Sequence, residues 1–317
     1  MSRILVTGAT GFLGRALVPL LVERGHQVRA AARRPEAHVL GADLVAVGDI
    51  GPDTDWAEAL EGVDAVAHLA ARVHVMRDTA SDPLAEFRRT NTDGTRRLAE
   101  ACAGRGVRRF VYLSSIKAVV DESRPDPVTD ATPADPHSPY GISKREAEQA
   151  LEHLHTLGVL DPVILRPPLV YGPGVAGNLR ALLRLCQKRV PLPLGLVANR
   201  RSLIGVGNLA DAVALCLTHP AAPGRTFLVS DGTPLSTADL VRHLSAGLGV
   251  RPRLLPVPPA MLALAAALLG RRDAWDRVGG SLVVEDAAIR ATLGWSPPTD
   301  AASGLRATAE WFKASLG

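Results

Sequence analysis

An apolar run at 3–7 (RILVT) leads into three glycines, Gly8, Gly11 and Gly14, and then into Arg15–Arg24, where Ala16, Leu17, Leu20 and Leu21 recur at helical spacing. The order strand, glycine turn, helix constrains the fold more than any other part of the chain. Without side chains the backbone turns tightly and approaches a pyrophosphate, which the helix N-terminus meets with N–H donors and positive potential. A plain glycine-rich βα turn is the alternative. The motif's N-terminal position, ahead of a second strand at 26–32 (HQVRAAA), weighs against it. Gly8, Gly11, Phe12, Leu13 and Gly14 are thus the first candidate dinucleotide contacts.

Strand-like and helical segments alternate from residue 3 to about 170, as a doubly wound parallel α/β sheet requires. In such sheets an acidic residue about 20 residues beyond the glycines holds the adenosine 2′-hydroxyl, whereas arginine suits a 2′-phosphate. Here the second strand ends in Ala32, Arg33 and Arg34, with no carboxylate. This favours NADP(H), with Arg33 or Arg34 on the phosphate, and keeps NAD(H) as the alternative; two solvated arginines at a strand end is the plainer reading. VAVGDI places Asp49 and Ile50 at the end of a third strand, near the adenine. VDAVAHLAA brings Leu69, Ala70 and Ala71 to the end of a fourth, beside the pyrophosphate and ribose.

Tyr140 and Lys144 stand four apart in YGISK, and Ser115 lies 25 positions upstream of the tyrosine. A phenol with a pKa near ~10 is a poor base at neutral pH. An ammonium one helical turn away favours the phenolate. Alone, Y-x-x-x-K is as readily an ordinary surface pair. Together with the glycine turn and a serine delivered by the strand VRRFVYLS (107–114), it implies proton transfer at an alcohol oxygen coupled to hydride transfer at a nicotinamide.

At this point the chain resembles the extended short-chain dehydrogenase/reductases, the NAD-dependent epimerase/dehydratase family. The resemblance covers essentially the whole length. It rests on TGATGFLG (7–14), GDI (48–50), HLAA (68–71), NTDGT (91–95), YLSSIKA (112–118), YGISK (140–144), LRPPLVYGPG (165–174), RRSLIGVGNLADAV (200–213) and LGW (293–295). HLAARVHVMRD, SSIK and NRRSL are similar to the UDP-sugar 4-epimerase-like branch, which includes 4-keto-sugar-nucleotide reductases. The resemblance implies a Rossmann-type sheet with a smaller, interleaved C-terminal substrate lobe. It also implies roles for residues. Ser115 would bond the reacting oxygen, Tyr140 would be the acid/base, and Lys144 would bind the nicotinamide ribose and tune Tyr140. Asn91 would help hold the nicotinamide or the relay to Lys144, Pro167 would line the nicotinamide, and Asn178 and Arg201 would meet a nucleotide-sugar diphosphate. The last two are otherwise a polar loop residue and a surface arginine. Most extended members read S-x-x-V-Y-G after the serine pair, whereas this chain reads SSIKAVVDE. Ser114 and Ser115 therefore both stand as candidates, Ser115 fitting SSIK better, and Lys117 reads as a solvated loop lysine.

Residues 1–174 and 200–232 are expected to form the NAD(P)-binding domain, and 175–199 with 233–317 the substrate lobe. A long proline-rich loop, 121–139, leads into Tyr140 and is placed to cover the site. With 317 residues and 47% hydrophobic content, the chain can build a full core. Aromatics at 4% supply no stacking platform for nucleic acid, and the net charge of +4 is spread too diffusely for DNA. Cys102, Cys186 and Cys216 are far apart, show no metal-ligand spacing, and read as small apolar residues in helices. The most apolar stretch, PPAMLALAAALLG (258–270), falls short of the ~20 residues a membrane span needs. Burial or a packing face is its favoured role, ahead of an interfacial anchor, and the cytoplasm is the expected location.

The leading functional expectation is oxidoreduction at C4 of a nucleotide-linked hexose, as a UDP-hexose 4-epimerase or a 4-keto-sugar reductase; NADP(H) tilts it towards the reductase. A dehydratase is disfavoured because Ile116 and Lys117 stand where that branch carries its acid pair. The alternatives are an NADPH-dependent reductase of a non-sugar carbonyl, such as a secondary metabolite or steroid-like compound, and a non-catalytic NADP(H)-sensing protein. The resemblance further implies homodimerisation through helices at 84–104 and 140–157.

Overall fold

The computed structural model describes residues 1–73 and 81–316, so the 74–78 end of HLAARVHVMRD lies outside the described residues. In chain order the elements are β1 (Arg3–Thr7), α1 (Gly14–Glu23), β2 (Gln27–Ala32), β3 (Asp43–Ala46), β4 (Ala65–His68), α2 (Pro83–Phe87), a π-helical turn (Arg88–Asp93), α3 (Gly94–Gly104), β5 (Arg109–Leu113), a 3₁₀ turn (Ile116–Ala118), α4 (Pro139–Thr156), β6 (Asp161–Arg166), β7 (Leu169–Tyr171) and α5 (Gly177–Gln187). Then come β8 (Leu203–Gly205), α6 (Val206–Thr218), β9 (Arg225–Leu228), α7 (Thr237–Leu248), α8 (Pro259–Leu268), α9 (Arg272–Gly279), α10 (Ala287–Leu293) and α11 (Ala301–Ala314).

Seven strands form one parallel sheet in the order β3-β2-β1-β4-β5-β6-β9, and β7 pairs with β8 in a separate parallel ribbon. The order reverses between β1 and β4, and the crevice at the carboxyl ends there is where such sheets take ligands. Side chains alternate between two cores. Ile4, Val6, Val111, Val163 and Leu165 join α1 and α6 on one face. Leu5, Phe110, Tyr112 and Ile164 join α3 and α4 on the other. Burial on both faces explains why these strands read as continuous apolar runs.

A third apolar cluster gathers Val175, Leu179, Leu183, Val241, Leu244, Leu305 and Phe312 from α5, α7 and α11. It also includes Tyr171 of the β7–β8 ribbon, whose hydroxyl donates to Asp231 at 2.7 Å. The Asp231 carboxylate also accepts from the Gly205 backbone and the Asn208 amide.

Two local expectations are corrected. β3 stops at Ala46, because Gly48 takes a φ of +68° and turns the chain, so Asp49 lies in the following loop and not at the strand end. The 258–270 stretch is expected to be buried or to present a packing face; α8 packs against α9, but none of its residues is buried. Among the described residues no helix is long and apolar enough to cross a membrane.

Candidate active site

The glycine turn sets the floor of a cleft. Gly8 has a φ of +68°, and its carbonyl accepts from the Gly11 N–H at 2.9 Å. A Cβ on Gly8 would lie 2.8 Å from the Ala70 nitrogen, and one on Gly14 would lie 2.3 Å from the Gly8 carbonyl oxygen. Neither position has room for a side chain, so the first turn of α1 and the Leu69–Ala71 loop close around backbone alone. This is the cradle a pyrophosphate requires.

The cleft above it has a volume of about 1240 Å³. Its walls include Gly8, Gly11, Phe12, Leu13 and Gly14, then Arg33, Arg34, Asp49 and Ile50, then Leu69, Ala70 and Ala71, and finally Ser115, Tyr140 and Pro167. Thr10, Glu36, Arg89, Thr90, Val170 and Leu209 are among the further lining residues, and sequence reading did not single them out. Thr10, Val170 and Leu209 lie inside the quoted motifs, whereas Glu36, Arg89 and Thr90 lie outside them. At the adenosine end Arg33 and Arg34 are both exposed. The Arg33 Nε meets Asp49 Oδ1 at 2.8 Å.

At the opposite end Tyr140 lies in the first turn of α4. Ser138 caps that helix by accepting from the Gly141 N–H, and Asp121 accepts from the backbone N–H groups of His137 and Ser138. Asp121 thereby ties the start of the proline-rich loop to its end and fixes the entry angle of α4. Lys117 stands 3.7 Å from the same carboxylate. None of the loop residues 121–139 is among those lining the cleft. Phe87 packs edge-on against the Tyr140 ring with centroids 6.0 Å apart. Burial pushes the Tyr140 phenol up to about 12, and its hydrogen bond with the Ser115 hydroxyl pulls the other way.

Lys144 is 2% exposed. Its Nζ donates to the Leu113 carbonyl at 2.8 Å and sits 4.6 Å from the Tyr112 ring centroid and 6.0 Å from that of Tyr140. Burial lowers the ammonium to about 7, while the Glu148 carboxylate one turn on favours its charged form. Both serines line the cleft, but their hydroxyls have different partners. Ser114 donates to Glu148 at 2.6 Å, pointing into the sheet, whereas Ser115 faces Tyr140. Glu148, fully buried, also accepts from Arg166 at 2.6 and 2.8 Å and from Arg145 at 3.0 Å. Glu148 escaped sequence reading, although its place four residues after Lys144 puts both on one helical face.

Asn91 is buried in the π-helical turn and does not line the cleft. Its amide accepts from the Arg72 N–H at 2.8 Å and donates to the Arg72 carbonyl and to Ser143 Oγ, each at 3.0 Å. Ser143 donates in turn to the Tyr140 carbonyl at 2.8 Å. Asn91 thus ties the loop after β4 to the turn that carries Tyr140. Asn178 and Arg201 lie outside the lining residues. Asn178 is exposed in the first turn of α5. Arg201 donates to the carbonyls of Arg277 at 2.7 Å and Gly280 at 3.3 Å, and burial lowers its pKa. Meeting a diphosphate would require it to leave these carbonyls.

Comparison with known proteins agrees with this architecture. Residues 4–230 match the model of the NAD dependent epimerase/dehydratase family. The chain is 40% identical over 311 residues to a UDP-glucose 4-epimerase of Vibrio cholerae, covering 98% of this chain and 95% of that protein. It is 33% identical to a 2-alkyl-3-oxoalkanoate reductase of Stenotrophomonas maltophilia, over 78% of this chain and 76% of the relative. Among solved structures, MoeE5 in complex with UDP-glucuronic acid and NAD superposes with a TM-score of 0.78 at 27% identity, covering 99% of this chain and 100% of the other. With its glycine cradle, parallel sheet and full-length relatives, the chain belongs to the NAD-dependent epimerase/dehydratase family of extended short-chain dehydrogenase/reductases.

Proposed function

We propose that the protein is a UDP-hexose 4-epimerase in which Tyr140 moves the proton of the C4 hydroxyl while hydride leaves and returns at C4. The convergence of Ser115, Tyr140 and Lys144 at the carboxyl end of β5 and the start of α4 carries this reading. The full-length likeness to the Vibrio cholerae UDP-glucose 4-epimerase supports the choice of substrate.

A bound nicotinamide dinucleotide would supply the hydride acceptor and donor. The chain's own residues do the rest. The Gly8–Gly14 cradle and the Leu69–Ala71 loop fix the dinucleotide against the sheet. Ser115 orients the C4 oxygen towards Tyr140, whose phenolate accepts the proton and, as the phenol, gives it back after the sugar presents its other face. Lys144 holds positive charge beneath the ring, which favours phenolate against the burial that opposes it. Preset geometry and matched proton affinity together provide the rate. Asn178 is assigned to the substrate diphosphate, and Arg201 to holding the carbonyl end of α9 beside β8.

A second reading, an NADPH-dependent reductase of a 4-keto sugar nucleotide or another carbonyl, is favoured by Arg33 and Arg34 at the adenosine end. The reductase of Stenotrophomonas maltophilia among the relatives points the same way. The test is to release and identify the nicotinamide nucleotide carried by purified protein and to assay UDP-glucose and UDP-galactose interconversion without added cofactor. Turnover with retained cofactor is the expected outcome. An empty protein that consumes NADPH and leaves UDP-galactose untouched establishes the reductase instead.

A further inference from the structure

α8 combines two properties that do not normally coexist. Its ten residues, PAMLALAAAL, include no polar side chain. A helix apolar around its whole circumference belongs in a protein core or in lipid. Yet none of its residues is buried: Met261 is 61% exposed, Leu264 63%, Leu268 78%, and Leu269 just beyond it 72%. Among the described residues, α9 is its main packing partner. Arg201, which holds the last turn of α9 through the Arg277 carbonyl, mounts this hairpin on β8.

The charge around the helix is as one-sided as its composition. From residue 240 to 272 there is no Asp or Glu, while Arg242, Arg251, Arg253, Arg271 and Arg272 fall in the same stretch. Arg242 is paired with Asp239. Arg251, Arg253, Arg271 and Arg272 are exposed, and none forms an ion pair among the described residues. The four arginines bracket the apolar helix at both ends. Trp275, half-buried on α9, adds an aromatic ring of the kind that settles at a lipid–water boundary.

We infer that α8 and its flanking arginines form a docking surface for an anionic lipid bilayer. The helix would lie in the interfacial region, with Met261, Leu264, Leu268 and Leu269 among the acyl chains and the arginines on lipid phosphates. At about 15 Å the helix is too short to span a bilayer. Its backbone hydrogen bonds are made within the helix, so shallow insertion leaves few polar groups unpaired. Positive charge beside an apolar insertion matches the combination that gives stable peripheral binding. A two-fold contact with a second copy fits less well. It would cover one side of a helix that is apolar on all sides, and it would bring the four arginines of each copy against their own images.

Flotation of the full chain with vesicles tests this directly. Equimolar phosphatidylcholine and phosphatidylglycerol should carry the protein upward, and pure phosphatidylcholine should do so far less. Raised salt should release it. Leu264→Glu/Leu268→Glu and Arg271→Glu/Arg272→Glu should each weaken binding on the order of tenfold or more. Turnover in solution and the thermal midpoint should stay unchanged, since no altered residue is buried. The inference is overturned if the wild type remains with the soluble fraction, if charge makes no difference, or if both variants float as well as the wild type. A dimer that ignores vesicles and becomes a monomer in Leu264→Glu/Leu268→Glu would identify a second copy as the partner and overturn it too.

Discussion

The Ser114 hydroxyl donates to the buried Glu148 carboxylate at 2.6 Å, while its neighbour Ser115 turns the other way, towards Tyr140. Successive residues leaving a strand point to opposite sides, so one serine is claimed by the interior and one by the cleft. Ser115→Ala should lower kcat by roughly tenfold to a thousandfold while leaving the melting temperature near wild type. Ser114→Ala should do the reverse, since it removes a hydrogen bond to a buried charge, worth about 1.5–3 kcal/mol. Thermal unfolding and steady-state kinetics on the two variants check the assignment. Interchanged effects would give the catalytic role to Ser114.

Burial holds both Tyr140 and Lys144 towards their neutral forms. Burial raises the phenol to about 12 and lowers the ammonium to about 7, so each resists the charged form that the reaction needs. The ascending limb of a pH–rate profile should follow Tyr140 ionisation. Lys144→Met removes the positive charge beneath the ring, so that limb should move to higher pH by about one unit or more, with kcat reduced. Tyr140→Phe should cost roughly 10²–10⁴ in kcat and leave dinucleotide affinity nearly intact. An unmoved limb in Lys144→Met would mean that the lysine does not tune the phenol.

The parallel sheet, the glycine cradle and the Tyr140–Lys144 face were legible in the sequence because each depends on local spacing. Burial on both faces shows as continuous apolar strands, and an i,i+4 pair shares a helix face wherever the helix goes. What escaped depends on contacts between distant segments. Glu148 is anchored by Arg166 from β6, and Asn91 by Arg72 and Ser143, pairings that no single segment announces. Arg201 reads as a surface arginine or a phosphate ligand, yet it is held by the carbonyls of Arg277 and Gly280. α8 misled in the other direction. Its composition implies burial, but burial requires a neighbour, and only the tertiary arrangement shows that it has little beyond α9.

Arg33 is held by Asp49, which leaves Arg34 as the arginine at the adenosine end with no carboxylate on it among the described residues. If the site receives a 2′-phosphate, Arg34→Ala should weaken NADPH binding by about tenfold and leave NADH nearly unchanged. Arg33→Ala should act less, because Asp49 already engages that guanidinium. Fluorescence titrations with both reduced nucleotides read the ratio. Equal, weak responses to NADPH and NADH in all three proteins would remove the arginine argument for NADP(H).

His68 is fully buried between Thr7, 2.7 Å from its Nδ1, and Thr95, 2.9 Å from its Nε2, and its ring stacks over Tyr112. Burial, reinforced by the Lys144 charge, lowers its pKa from 6.5 to about 3. The folded protein thus keeps this ring neutral where the unfolded chain would protonate it. Stability rises with pH wherever the unfolded state binds more protons, so it should fall as pH drops from about 6.5 towards 3. By pH 4 the loss from this one group should reach roughly 3 kcal/mol. His68→Gln replaces the ring with an amide that can still reach a threonine but does not titrate. It should lower stability at neutral pH and flatten the decline between pH 6.5 and 4. Denaturant unfolding across that range gives the slope for both proteins, and parallel slopes would show that the acid sensitivity originates in other groups.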